Sequence, residues 1–240
     1  MADVHAVCSA LFPEGCAIDV RDGMVTGRAS AAGRTVAILG TVDGALIGVD
    51  LAFALAGAVL DVVEREPGAT IVLLVDTGGQ RLSRRDELLG NAGYLAHLAE
   101  CFEVARGLGH RLVAVVHGDA VSGAFLAIGL IADEVYALES ATIRVMALPA
   151  MSRITTIPLD RLEALSRTSP ILGPGPAHYG RLGAVEAVWS GDLAGGNLAG
   201  SLAAALERPP REGDRRIALG DERGGRTAAA RVMRRLGLAP

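Results

Sequence analysis

The sequence predicts an α/β fold with a mostly parallel sheet, and three observations carry that expectation. Two unbroken aliphatic runs, residues 71–75 (IVLLV) and 112–116 (LVAVV), suit strands buried on both faces. Each run breaks into a polar, glycine-containing loop followed by a helical pattern, with residues 76–81 after the first and 117–123 after the second. Half of the residues are hydrophobic but only 3% are aromatic, so the core must be built from Ala, Leu, Val, Ile and Gly, which favours close helix-on-sheet packing. Two strand–loop–helix units in succession imply right-handed crossovers. These place both loops at the same edge of the sheet, where α/β folds bind ligands.

Taken in order, residues 1–35 read as an N-terminal cap, with turns at 13–15 and 22–23 and one hairpin. Short strands at 35–39 and 46–49 flank the Asp43-Gly44 turn. Asp50 is placed to cap a helix with Leu51, Leu55, Ala58, Val59 and Val62 on one face, which Pro67-Gly68 stops. After the 71–75 strand, one long helix is expected from about 85 to 106. Its seam is Leu88, Ala92, Leu95, Ala99 and Phe102, and Gly107 and Gly109 end it. A helix then runs from Ser122 to Asp133, followed by strands at 135–138 and 141–145. A helix over 158–167 turns Leu159, Leu162 and Leu165 inward and ends at Ser169-Pro170. A proline-stiffened loop at 173–180 leads to a last α/β pass through Val185 and Val188, and Gly195-Gly196 opens a small-residue helix to Leu206. From Glu207 onward nine arginines face five acids. The expected division is a cap (1–35), a main domain (36–206) and an Arg-rich tail (207–240).

The net charge of −4 gives no sign of nucleic-acid binding. All 23 basic residues are arginine, which excludes a Schiff-base lysine and any covalent biotin or lipoyl attachment on this chain. Cys8, Cys16 and Cys101 form no C-x-x-C and read as reduced structural thiols. No targeting segment and no membrane-length apolar run is visible, so a cytoplasmic protein is expected. No cluster has metal-ligand spacing.

The second loop invites three familiar readings. Gly118 and Gly123 have P-loop spacing, but Ala124 and Phe125 stand where Lys and Ser/Thr belong. No G-x-G-x-x-G is present. Residues 120–124 (AVSGA) approach a G-x-S-x-G nucleophile elbow without matching it, which keeps Ser122 in play. Beyond these motifs, a strand turning sharply into a buried helix leaves the first helical N–H groups unpaired, ready for a carboxylate or a developing oxyanion.

The segments 47–61, 71–90, 109–151 and 174–189 together resemble the crotonase-superfamily carboxyltransferases, and most of all the γ subunits of biotin-independent malonate decarboxylase. In acyl-CoA carboxylase relatives the two loops read like D-T-P-G-A and G-E-G-G-S-G-G-A; here they are Asp76-Thr77-Gly78-Gly79-Gln80 and residues 118–124 (GDAVSGA). Ala120 and Val121 replace two glycines, narrowing the pocket against a bulky biotin substrate. The resemblance implies a crotonase-like (ClpP/crotonase) spiral of strand-strand-helix units, paired with a homologous β subunit across a shared active site. It further implies an acyl carrier protein whose phosphoribosyl-dephospho-CoA arm carries the malonyl thioester, a transferase that loads this carrier, and products acetyl thioester and CO2, without biotin.

On that resemblance, the amides of Val121, Ser122 and Gly123 form an oxyanion hole, completed by those near Gly79 and Gln80. Gln80 positions the carboxylate without charge, and His117 is placed to deliver a proton. Arg153, His178 and Tyr179 are candidates to touch the carboxylate or the carrier arm. The tail offers a docking face for an acidic carrier or the β subunit. Three other readings stay open: a biotin-dependent carboxyltransferase subunit, a hydrolase with Ser122 as nucleophile, and a scaffold that only completes a partner's pocket.

Overall fold

The computed structural model describes residues 3–169, 173–190, 193, 197–209, 213–226 and 228–237. Helix α1 (Val4–Leu11) precedes three antiparallel strands, β1 (Cys16–Arg21), β2 (Met24–Ala31) and β3 (Arg34–Thr41). Their two-residue turns, Asp22-Gly23 and Ala32-Gly33, have positive φ at both positions (52° and 80°; 51° and 68°). That backbone twist matches the twist of paired strands. The expected cap is therefore two hairpins continuous with the main sheet, and the boundary at 35 falls inside β3.

The parallel part follows: β4 (Ala45–Ile47), α2 (Val49–Arg65), β5 (Ile71–Gln80), α3 (Arg84–Leu88), α4 (Asn91–Gly107), β6 (Leu112–Val121), α5 (Ser122–Ile128), β7 (Glu134–Leu138) and β8 (Thr142–Arg144). Next come α6 (Leu148–Thr155), α7 (Leu159–Thr168), α8 (Pro176–Arg181), β9 (Ala187–Trp189), α9 (Leu198–Glu207), α10 (Arg216–Glu222) and α11 (Ala229–Arg235). The sheet order is β1-β2-β3-β5-β6-β7-β9, with β4 on β5 and β8 on β6. Side chains alternate between two apolar layers. Leu73, Val75, Ala114 and Val116 pack beneath α2, α4 and α5, while Val72, Leu74, Val113 and Val115 pack with α1 and α9 on the other face. Burial on both faces is what the two aliphatic runs predict.

Several expectations are corrected. The strands do not stop at 75 and 116. The first half of β5 pairs with β3 and its second half with β4; β6 likewise leaves β7 and pairs through Asp119, Ala120 and Val121 with β8. Each strand thus passes from one tier of partners to another, which runs of apolar residues cannot reveal. The helix expected from 85 to 106 is two helices, because Gly90 sits at φ 77° between them. The break resets the helical phase: Leu88 is 77% exposed and Ala92 is exposed, while Asn91, Leu95, Leu98, Phe102 and Ala105 face inward. Asp50 does not cap α2. Gly48 is the N-cap, and the Asp86 carboxylate reaches from α3 to accept the Val49 N–H at 3.0 Å. The capping group is supplied from another element, so local spacing could not find it.

The helix at 122 stops at Ile128 rather than Asp133, and of the α7 leucines only Leu162 is buried. The sequence reading missed α6, which begins at Leu148-Pro149 with proline in its first turn. Pro170 and Gly195-Gly196 lie outside the described residues, and the boundary at 206 falls inside α9.

Candidate functional site

The ends of β5 and β6 meet. Gly79, at φ 109°, lies so close to β6 that a Cβ there would sit 3.5 Å from the Val121 carbonyl oxygen. A Cβ on Gly123 would sit 3.2 Å from the Gln80 side-chain oxygen. The structure therefore brings together Gly79, Gln80, Val121, Ser122 and Gly123, five of the residues singled out from sequence. Thr77 holds the near wall: its hydroxyl donates to the Ala45 carbonyl at 2.7 Å and accepts the Gly79 N–H at 3.2 Å.

Ser122 opens α5 with φ 56°, a left-handed conformation that costs a non-glycine residue energy and concentrates at functional turns. The first N–H groups of such a helix have no partner within it, and this start of α5 lies against the end of β5 at Gln80. Of the two residues that replace glycines, only Val121 borders the site. Ala120 is fully buried in the core and does not narrow it, correcting the sequence expectation.

His117 is 2% exposed, beside Asp76 and the Thr41 backbone, and neither ring nitrogen makes a well-formed hydrogen bond among the described residues. Burial pushes its pKa down, outweighing the opposing pull of the Asp76 carboxylate, the Thr41 backbone and the Asp43 carboxylate, so the ring is neutral near pH 7. Without such a bond His117 does not activate the Ser122 hydroxyl, and no histidine–acid pair of the hydrolase kind is assembled through it.

The other three candidates lie elsewhere. Tyr179 packs edge-on against Phe125 of α5 with centroids 6.3 Å apart, and burial raises its pKa. It braces the site helix from behind. It also lines a slot of about 70 Å³ with Arg144, Met146 and Met151. His178 stacks so tightly on Gly173 that a Cβ there would meet the ring at 2.4 Å, and its buried Nδ1 has no partner. Arg153 is exposed near the end of α6. Of the three, Tyr179 touches the junction's helix, through Phe125. Cys8, Cys16 and Cys101 are free, and burial raises all three thiol pKa values, which suits inert packing groups.

Sequence reasoning missed the work of the tail arginines. Arg223 donates to the carbonyls of Gly180, Val185 and Glu186, and Arg226 to that of Leu182. Arg216 binds Asp214 and the Leu130 carbonyl. Three of the nine tail arginines instead fasten residues 214–226 to the body. Arg231, Arg234 and Arg235 remain exposed, and Arg211 lies outside the described residues.

Residues 42–238, which include both site loops and these clamps, match the family described as malonate decarboxylase gamma subunit. The chain belongs to that family. It is 36% identical over 208 residues to the malonyl-S-ACP:biotin-protein carboxyltransferase of Malonomonas rubra, covering 78% of this chain and 70% of the relative. Among solved structures it resembles a chain of a Pseudomonas malonate decarboxylase hetero-tetramer crystallised with coenzyme A (TM-score 0.79, 26% identity, 97% of each chain). It also resembles a chain of a Pseudomonas malonate decarboxylase hetero-dimer (TM-score 0.75, 27% identity, 96% of each). Transcarboxylase 12S, at 19% identity over 88% of this chain and 42% of its own, shares the fold (TM-score 0.68). The α/β fold with its mostly parallel sheet is thus shared with malonate decarboxylase and with crotonase-like carboxyltransferases, as the resemblance implied. Among the described residues no three His, Cys, Asp or Glu side chains could hold a metal ion, and no helix is long and apolar enough to cross a membrane.

Proposed function

We propose that this chain is the γ half of a malonyl-thioester decarboxylase, a carbon–carbon lyase active only with a homologous β subunit. The observation that carries this reading is the junction of Gly79 and Gln80 with Val121, Ser122 and Gly123. It offers the N–H groups at the start of α5 and a neutral amide side chain but no titrating nucleophile; the Gly79 N–H, expected to complete the hole, is instead taken by the Thr77 hydroxyl. Decarboxylation breaks the bond between the α-carbon and the carboxylate; CO2 departs and the electron pair becomes an enolate whose charge settles on the thioester oxygen. Preorganised N–H donors stabilise that oxygen by about 3 kcal/mol each in comparable holes. A proton delivered to carbon then completes the acetyl thioester. Gln80 holds the carboxylate by hydrogen bonding without a cation that would favour its retention.

The exposed apolar side chains of Leu46, Leu82 and Leu126 flank this junction and supply the rim on which the β subunit closes. The malonyl group arrives on the phosphoribosyl-dephospho-CoA arm of an acyl carrier subunit that its own transferase loads; the exposed Arg231, Arg234 and Arg235 are where an acidic carrier would dock. The test is co-purification of the chain with the β and carrier subunits, followed by a malonate-dependent CO2 assay. Release by the complex and by neither subunit alone is expected. Release by the β subunit alone would overturn the shared site.

A second reading is favoured by the name of the Malonomonas relative, a carboxyltransferase that passes its carboxyl group to a biotin-protein. Avidin separates the two: turnover of the decarboxylase is indifferent to it, whereas transfer to biotin stops.

A further inference from the structure

We propose that Asp76 is a positioning residue, tying together the crossing from which the amides of β6 and α5 are aimed at the reaction centre; this rests on the reading of the site given above. Strand register singles out Asp76. Val75 pairs with Val116 and Thr77 with Ala120, so Asp76 alone on β5 stands opposite three residues, 117–119, on β6. The ladder cannot satisfy the extra backbone groups. The Asp76 carboxylate accepts the Asp119 N–H at 2.8 Å, and its own N–H donates to the Thr41 hydroxyl at 3.3 Å.

The fit is close. A Cβ on Gly118 would lie 2.3 Å from the Asp76 carboxyl carbon, so glycine is required where the strand passes over the carboxylate. Asp76 is 1% exposed, and the neighbouring Thr41 and His117 are buried, which leaves little room for solvent to replace the bond. Past this tie β6 takes β8 as its partner, pairing Asp119 with Thr142 and Val121 with Arg144, and two residues further on Gly123 meets Gln80. The direction in which the α5 amides point is set at the crossing. A charge-assisted bond there is worth more than a neutral one.

The test uses the assembled complex with Asp76→Ala, Asp76→Asn and Gly118→Ala, and reads amide hydrogen exchange over residues 117–123 without substrate, alongside kcat and KM. In Asp76→Ala, exchange at Asp119 should speed up at least about tenfold, since a protecting bond is gone. In the same variant kcat should fall about 100-fold with KM within about twofold, as expected when reacting groups are misplaced rather than lost. Asp76→Asn keeps an acceptor oxygen and should recover most of kcat. Gly118→Ala displaces the carboxylate and should mimic Asp76→Ala, and the double variant should be no worse than either single change, because both remove one interaction.

Unchanged exchange in Asp76→Ala would overturn the proposal, and so would faster exchange with kcat intact, or additive losses in the double variant. Should Asp76→Ala not fold, Asp76→Asn and Gly118→Ala carry the same comparison. A wild-type complex that releases no CO2 from malonate would sink the decarboxylase reading; the exchange result would still decide whether the tie exists.

Discussion

At the start of β6, the terminal nitrogens of Arg111 donate to the Glu134 carboxylate at 2.9 Å and to the carbonyls of Ala205, Leu206 and Arg208, which end α9. Glu134 also accepts the Tyr136 hydroxyl, and Tyr136 stacks on Trp189 with centroids 4.6 Å apart. At the other end of the same strand, buried His117 has two ring nitrogens without a well-formed hydrogen bond among the described residues, Ser122 is held at positive φ, and leucines stand in solvent. One end is closed by bonds between its own residues, with the buried Arg111 Nε left over. The other departs from the usual rules of polar satisfaction and backbone conformation, departures that natural proteins concentrate at functional sites. The contrast teaches where stability resides and where it has been given up.

The largest effect should come from the closed end. Arg111→Met removes the cation that balances the buried Glu134 carboxylate and the ties to the end of α9, and should destabilise the chain by about 3–5 kcal/mol. Chemical denaturation measures it, and a loss below about 1 kcal/mol would mean the closed end is no stronger than an exposed ion pair. Next in size, Gly123→Val should leave the unfolding curve and assembly unchanged, because a Cβ there meets only the flexible tip of Gln80. It should cut CO2 release about 100-fold, the scale of losing a preorganised donor. Full turnover by that variant in an intact complex would leave the chain a scaffold.

A smaller effect separates two roles for His117. Replacing a neutral, buried imidazole with leucine should change stability by no more than about 1 kcal/mol, since no well-formed hydrogen bond is abandoned. Turnover should stay within about threefold, whereas loss of a proton donor would cost about 100-fold or more. The smallest effect concerns Asp86. The Ser83 hydroxyl and the Val49 N–H hold its carboxyl below its ordinary value of 3.8. A depressed folded pKa means the stabilisation is present above 3.8 and is lost as pH falls from there through the folded value. Asp86→Asn should therefore flatten the acid limb of the stability curve below about pH 4 and alter its slope little at neutral pH. An unchanged acid limb would show that the carboxylate contributes nothing through those bonds.

The sequence was legible where structure is local. Residues 71–75 and 112–116 are strands because nothing but burial on both faces suits such runs. Gly79, Gln80, Val121, Ser122 and Gly123 converge because consecutive right-handed crossovers force their loops to one sheet edge. Reading failed where a group acts far along the chain. Asp86 caps a helix that begins 37 residues earlier, and the clamps of Arg223 and Arg226 span 37 to 44 residues. His117 looked available because its sequence neighbours are polar and small; its burial depends on Thr41 and Asp76, brought in by other strands.

Sequence alone therefore determined the parallel sheet, the edge at which the two loops meet and the resemblance that names the family, since periodicity, turn chemistry and motif order are properties of adjacent residues. Only the tertiary structure decided how β5 and β6 change partners, that Asp76 spans the irregularity, and which arginines are consumed in holding the tail. Those outcomes turn on register and on distances of about 3 Å between segments far apart in the chain, and hydrogen bonds discriminate at that scale while hydrophobic patterns do not.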